Sequence, residues 1–536
     1  MELSIASILA ESAARHPDRA AVVLGESRVT YAELWEQARR YAAVLRAHGI
    51  GPGDAVALML PNVPDFPRTY YGALALGAVV VPVHALLTAE EIAFVLADAR
   101  VKAFVCAAPF LAAGRAAAEK AGVTLLAVMV PPPGPGEPGP QVPQLDAFAA
   151  SADPITAFVR RGPLDDAVVL YTSGTTGKPK GVTLTHAAVI AQHVTSQLVL
   201  DLHPGEVFWC TADPGWVTGI AYGLIGPLTC GASMIVDREE FDPQRWYRIL
   251  EEERVNIWYT APTAIRMLMK AGTALARGRK YPHLRHMASV GEPLNGEAVL
   301  WGVEAFGMPF HDTWWQTETG AIMIANFAAC DVLPGSMGRA VPGVEAQVVR
   351  RTAQGTLEVV ESSEQVGEIA LRPGWPSMFS SYLEDPERYR QSFLDGWYLA
   401  GDLARRDNEG YFWFVGRADD VIKSAGHLIS PFEVESTLMT HPAVAQVAVI
   451  GVPDPIAGQA VKAFVELRSG FEGNDALRRQ IMGHARRLLG AVVAPREIVF
   501  SDSLPRTRSG KIMRRLLRAR ELGLPEGDLS TLEGRE

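Results

Sequence analysis

Residues Thr172-Ser173-Gly174-Thr175-Thr176-Gly177-Lys178-Pro179-Lys180-Gly181 crowd hydroxyls, glycines and two lysines directly after the apolar run Ala167 to Tyr171. Glycines let the backbone approach a ligand closely and leave N–H groups pointing outward as an anion-binding nest. The hydroxyls add short donors, and the lysines bring counter-charge for phosphate oxygens. This chemistry suits a polyphosphate. A P-loop phosphotransferase is excluded by spacing, because that loop needs Gly-x-x-x-x-Gly-Lys-Ser/Thr opening a helix. Here Gly174 and Gly177 stand closer together, and Pro179 and Gly181 oppose a helix start.

Further chemical groups recur along the chain. Ser289-Val290-Gly291-Glu292-Pro293 ends a predicted strand, the place where open α/β sheets bind ligands. Asp312-Thr313-Trp314-Trp315-Gln316-Thr317-Glu318-Thr319-Gly320 puts two adjacent tryptophans and an acid into one polar turn. Trp397-Tyr398-Leu399-Ala400-Gly401-Asp402 ends on a carboxylate able to accept from both hydroxyls of a ribose, with Arg417 as a phosphate or ribose partner. Near the C-terminus a basic run from Arg506 to Arg520 includes Ser509-Gly510-Lys511, in which a mobile pair precedes an ammonium.

In their order these motifs resemble the adenylate-forming superfamily, which contains acyl-CoA synthetases, firefly-type luciferases and peptide-synthetase adenylation domains. The double-tryptophan form is most similar to AMP-forming acetyl-CoA synthetases. The resemblance implies ATP, Mg2+ and coenzyme A as cofactors and a small carboxylic acid as the other partner. It implies that Thr172, Ser173, Gly174, Thr175, Thr176 and Lys178 hold phosphates and that Gly291, Glu292 and Pro293 line the adenine site. Asp312, Trp314 and Gln316 belong to that nucleotide site, with Asp402 and Arg417 at the ribose. Thr317 contacts phosphate, Glu318 holds Mg2+, and Lys511 bridges the acyl carboxylate and the α-phosphate. Trp216, Val217, Thr218, Val290 and Trp315 would form the acyl pocket, the second indole filling volume where a longer acid would run. Ala425, Gly426 and Arg486 would meet coenzyme A, and Asp419 would be the hinge of a swinging domain. The surroundings of Lys511 also resemble a lysine-acetylation target. One position departs from the pattern: Leu428 stands where the resemblance calls for an arginine on the ATP phosphates, so either another cation, such as Lys423, substitutes or ATP is held less firmly. The implied activity is ligation of acetate or propionate to coenzyme A through an acyl adenylate. The alternatives are a medium-chain or other acid, transfer to a carrier protein, or a non-catalytic nucleotide-binding relative.

Positioning these groups requires more than one folding unit, since 536 residues exceed what a single core usually holds. Short β-branched runs such as Val207 to Cys210 and Ile257 to Tyr259 alternate with longer segments such as Trp246 to Arg254 and Gly296 to Phe306. That alternation predicts an α/β fold with parallel strands. Residues 1–417 are expected to form a large multi-subdomain α/β lobe, and residues 418–536 a small mobile α+β domain. Pro131 to Pro140 reads as a surface excursion. The Tyr70 to Leu87 run reads as a buried helix ending at Gly77 and then a strand, because its glycines, proline and histidine do not suit a membrane span. Hydrophobic content of 48% with 21% charged residues is that of a soluble globular protein. The net charge of -10 argues against nucleic-acid binding. Cys106, Cys210, Cys230 and Cys330 lack zinc or redox spacing, and the N-terminus reads as an amphipathic helix, not a signal peptide. A cytoplasmic enzyme with no membrane contact is the expectation.

Overall fold

Two mainly parallel sheets carry the larger part of the chain. In the nine-stranded sheet the strands run in the order Arg339–Ala340, Ile324–Ala325, Phe310–Trp314, His286–Ser289, Ile257–Thr260, Val207–Cys210, Ser233–Ile235, Ala20–Leu24 and Ser27–Thr30. The strands from Phe310–Trp314 to Ala20–Leu24 are parallel. The seven-stranded sheet is built on Val79–Pro82, Ala55–Met59, Val101–Ala107 and Thr124–Val128, with the hairpin Asp166–Thr172 and Lys180–Thr185 on one side. The computed structural model describes residues 4–130, 142–172, 179–418, 420–425, 427–468, 470–506 and 512–526. The Pro131–Pro140 excursion, Ser173 to Lys178, Asp419, Gly426 and Lys511 therefore lie outside the described residues.

A six-stranded, mostly antiparallel sheet follows, in which Trp397–Arg406 pairs with Phe412–Arg417 and sets Asp402 opposite Arg417. The last sheet belongs to a smaller unit with a core of its own. Its buried cluster draws only on residues from Ile422 to Ile498, with helices Pro431–Met439 and Asp475–Val493 covering the long hairpin Val444–Asp454 and Gly458–Leu467. A large α/β part and a smaller C-terminal part are thus the observed architecture. Among the described residues no helix is long and apolar enough to cross a membrane. The Tyr70 to Leu87 run splits into the helix Asp65–Ala75 and the strand Val79–Pro82, both buried. The four cysteines are free.

Local sequence explains most element boundaries. Thr30 and Thr88 each start a helix with a complete capping box, their hydroxyls and Glu33 or Glu91 exchanging hydrogen bonds with the first turn. The first helix, Ile5–Arg15, is capped at long range instead, its Ile5 N–H donating to Nδ1 of His186 at 3.2 Å. His186 is fully buried, and that burial lowers its pKa from 6.5 to about 4. Its folded value lies below its unfolded one, so the stability tied to the neutral ring is present above pH 6.5 and drains away as pH falls toward 4. Between pH 7 and pH 5 the stability difference between wild type and His186→Asn is expected to shrink by about 2 kcal/mol. Denaturant titrations at the two pH values check this, and a constant difference would contradict it.

Candidate active site

The carboxyl end of the strand Phe310–Trp314, the Gln316–Gly320 turn and the Asp402 strand meet and frame the candidate cleft. Asp402 is buried and accepts from Trp314 Nε1 at 3.0 Å and Gln316 Nε2 at 2.8 Å, while Arg417 reaches its other oxygen at 3.0 Å. Gln316 is locked in turn: its amide also donates to Ala400 O at 2.9 Å, and its carbonyl accepts from the Tyr398 hydroxyl at 2.8 Å. The carboxylate is thereby held in one orientation by a cation and two oriented donors. Trp314 is buried in the main core with its indole N–H committed to Asp402. The turn that follows is equally determined. Thr319 Oγ1 accepts from Gln316 N at 2.9 Å, and Trp375 Nε1 and the Ser377 hydroxyl both donate to Thr319 O. Gly320 is left-handed (φ 65°), and a Cβ there would come within 2.3 Å of Ser377 O, so no side chain fits.

Thr317 and Glu318 stand on that turn, half-buried at the mouth of the cleft. Glu318 Oε1 accepts from the Tyr382 hydroxyl at 2.8 Å. The Tyr382 ring has Lys180 Nζ 5.6 Å and the Arg388 guanidinium 5.7 Å from its centroid. Burial lowers the pKa of Lys180, and the nearby charges of Arg388 and Arg417 lower it further, against the pull of Glu318. Such a gathering of cations is the field that a polyanion relieves. Strand pairing explains it, since Ser381–Tyr382 lies antiparallel to Lys180–Thr185 and brings Tyr382 beside the foot of the glycine-rich loop. Tyr382 and Arg388 belong to no motif and were missed in the sequence. Tyr382→Phe keeps the ring and removes one donor. For the magnesium–ATP that the resemblance implies, it is expected to lower kcat/KM about tenfold, the worth of one hydrogen bond to a charged group, and to raise the Mg2+ concentration for half-maximal rate. An unchanged Mg2+ titration would contradict this.

At the turn expected to line the adenine site, Gly291 is left-handed (φ 92°) and the Glu292 side chain is engaged in a brace, accepting from the Thr263 hydroxyl at 2.7 Å and pairing with Arg266 at 2.5 Å. Asp312 is not in the open cleft. It is 4% exposed, accepts from Thr313 N at 3.0 Å, and burial pushes its pKa up to about 8. Its side chain braces the end of its strand beneath the site.

The expected acyl pocket is assembled from two places. Trp315 is half-buried, donates from Nε1 to the Tyr259 hydroxyl at 3.2 Å and stands edge-on to Tyr222 at 5.1 Å. Val290 packs in the same cluster. Trp216 precedes the short helix Val217–Ile220, and the next turn, Ala221–Ile225, carries Tyr222. Val217 packs against the main core, and Thr218 is half-buried. The Trp216 ring lies 4.9 Å from that of His84, a neighbour with no sequence signature.

The family model described as AMP-binding enzyme matches residues 9–383, and the model for the AMP-binding enzyme C-terminal domain matches residues 433–511. The chain belongs to the AMP-binding enzyme family. It is 42% identical over 510 residues to the acetyl-coenzyme A synthetase of Bacillus subtilis strain 168, spanning 95% of this chain and 88% of that one. Among solved structures, an anthranilate CoA ligase in complex with anthranoyl-AMP superposes with a TM-score of 0.89 at 27% identity, covering 98% of both chains. A benzoate CoA ligase from Burkholderia xenovorans LB400 gives 0.86 at 28% identity over 96% of this chain and 99% of its own.

In the C-terminal domain of this family member, the residues flanking Lys511 are held firmly. Arg506 and Ile512 form an antiparallel bridge, and Met513 N donates to Pro505 O at 2.9 Å. Arg514 clamps the nearly buried Glu435 through two bonds of 3.0 and 2.6 Å, and Glu435 also accepts from Val449 N at 2.8 Å. Arg486 is exposed on the helix Asp475–Val493, and Ala425 adopts a left-handed conformation (φ 49°) with its N–H donated to Ala457 O at 2.8 Å. Leu428 is 47% exposed on the strand His427–Ile429, beside Lys423.

Proposed function

We propose that this chain is an AMP-forming ligase that joins a short carboxylic acid, acetate or propionate, to coenzyme A. What carries the acid assignment is the fixed Trp315 indole, bonded to Tyr259 and set across Tyr222, which occupies the space a longer acyl chain would need. The likeness to acetyl-coenzyme A synthetases along nearly the whole chain supports the same reading.

In the first half-reaction a carboxylate oxygen attacks the α-phosphorus of ATP and the bond to pyrophosphate breaks. Asp402 accepts from the ribose hydroxyls and so fixes the sugar. Lys180 and Arg388, with Lys178 and the hydroxyls of Thr172 to Thr176, take up the charge that moves onto pyrophosphate. Glu318 suits a hard cation that keeps most of its ligands from water and phosphate, because Tyr382 occupies one oxygen and leaves the other for the ion. Mg2+ bound there would neutralise and orient the phosphates. Lys511 stabilises the negative charge gathered around the α-phosphorus.

In the second half-reaction the thiol sulfur attacks the acyl carbon, the bond to AMP breaks, and the thiol proton leaves to solvent. Residues 418–536 turn about Asp419 between the two steps, bringing Ala425, Gly426 and Arg486 to coenzyme A. A cytoplasmic location, and acetylation of Lys511 as a means of control, accompany this reading. Rates measured on straight-chain acids from acetate to octanoate test the pocket. Each methylene beyond propionate is expected to lower kcat/KM by roughly 10- to 100-fold. A flat profile, or one that peaks at hexanoate, would contradict the short-acid assignment.

A further inference from the structure

Behind the Trp315 indole stands a second ring, that of Tyr222. Trp315 is half-buried whereas Tyr222 is 0% exposed, so the order inward from the cleft is indole, then phenol. The two rings are nearly perpendicular, 79° apart, and Tyr222 stands at 84° to Tyr259 with centroids 5.7 Å apart. A ring at such a place can be ordinary core filling that swings aside when a neighbour is removed. Tyr222 is tethered against that. Its hydroxyl accepts from Ile322 N at 2.7 Å and bonds Thr195 Oγ1 at 2.7 Å, and Thr195 is itself anchored to Ala191 O at 2.7 Å. Swinging out would strand the buried Ile322 N–H. The backbone beneath is a π-helical turn, Ala221–Ile225, a widening that re-aims side chains within a helix and is common at functional sites.

We infer that Tyr222 is a second specificity-determining wall, setting how long an acyl chain can run once the indole no longer stops it. This rests on the reading of Trp315 as the first wall. Removing the indole exposes the tethered phenol in place of an open channel, so Trp315→Gly gains only a short extension. The two walls act in series, and the inner one has no influence on chain length while the outer one is closed.

The test is the chain-length profile of kcat/KM from acetate to octanoate for wild type, Trp315→Gly, Tyr222→Leu and the double variant. Trp315→Gly is expected to move the optimum to butyrate or pentanoate and to leave octanoate at least tenfold below it. Adding Tyr222→Leu should raise the octanoate-to-butyrate ratio at least a further tenfold. Tyr222→Leu alone should keep the preference for acetate and propionate. Trp315→Gly/Tyr222→Phe, which keeps the ring but loses its tether to Ile322, should show a profile between those of the single and the double variant. A ratio, unlike a rate, does not move when a variant is merely less stable. Tyr222→Met replaces Tyr222→Leu if the latter does not fold. A double variant whose ratio equals that of Trp315→Gly overturns the inference and leaves the pocket standing, as does a Tyr222→Leu single variant that accepts octanoate. A Trp315→Gly variant with the wild-type profile overturns the pocket and the inference together.

Discussion

Replacing Lys511 by alanine is expected to slow adenylate formation by about a hundred- to a thousandfold, the usual cost of deleting one group aimed at developing transition-state charge. Conversion of supplied acyl adenylate and coenzyme A to thioester is expected to stay largely intact, because that step breaks no bond at phosphorus. The asymmetry follows from where the chain anchors this lysine. The described residues on either side of it are fixed. Arg506 is bound to Glu466 at 3.3 Å and to Gln446, and Glu466 also accepts from Leu504 N at 2.6 Å. On the other side Arg514 is clamped to Glu435. In the proposed turn of residues 418–536 about Asp419, Lys511 serves one orientation of that unit and not the other. Pyrophosphate exchange measures the first half-reaction and thioester formation from acyl adenylate the second. An equal loss in both would remove Lys511 from its assigned role.

The second large effect is expected at Asp402. Alanine there deletes the proposed acceptor for the two ribose hydroxyls and also frees Trp314 Nε1, Gln316 Nε2 and the Arg417 guanidinium from their common partner. Kcat/KM for ATP is expected to fall by about two to three orders of magnitude, since hydrogen bonds to a charged group are worth about 1.5–3 kcal/mol each and the turn they order carries Thr317 and Glu318. Most of the loss should appear in KM for ATP, with a smaller loss in KM for the acid. Steady-state kinetics with each substrate varied in turn separate the two, and a loss confined to the acid would place Asp402 elsewhere in the mechanism.

The parts of this site legible in the sequence are those whose chemistry is local. A carboxylate on an aromatic-led strand and paired tryptophans at a polar turn each carry their meaning within a few residues, although the strand runs on past Asp402 to Arg406. The alternation of strands and helices was legible for the same reason. The helix start is placed a turn too late at Trp246. The chain begins that helix at Pro243, where Asp242 accepts from Arg245 N. That cap is an ordinary polar residue outside the apolar period that marks the helix. Tyr382, Arg388 and Tyr222 were not legible at all. Tyr382 matters because a two-residue strand pairs with the hairpin that frames the phosphate loop. Tyr222 matters because a π-helical turn aims it behind an indole that follows the distant strand Phe310–Trp314. Neither long-range relation leaves a trace in composition or spacing. Glu292 and Asp312 show the reverse, with acids in a motif whose side chains brace the backbone beneath the ligand site.

The central claim is that ATP is cleaved at its α-phosphorus by a bound carboxylate before the thioester forms. The most direct measurement follows the nucleotide products when the protein is incubated with Mg2+, ATP, acetate and coenzyme A. AMP and pyrophosphate should appear in equal amounts with acetyl-coenzyme A, and acid-dependent pyrophosphate exchange should persist without coenzyme A. ADP and inorganic phosphate as the products would contradict the account.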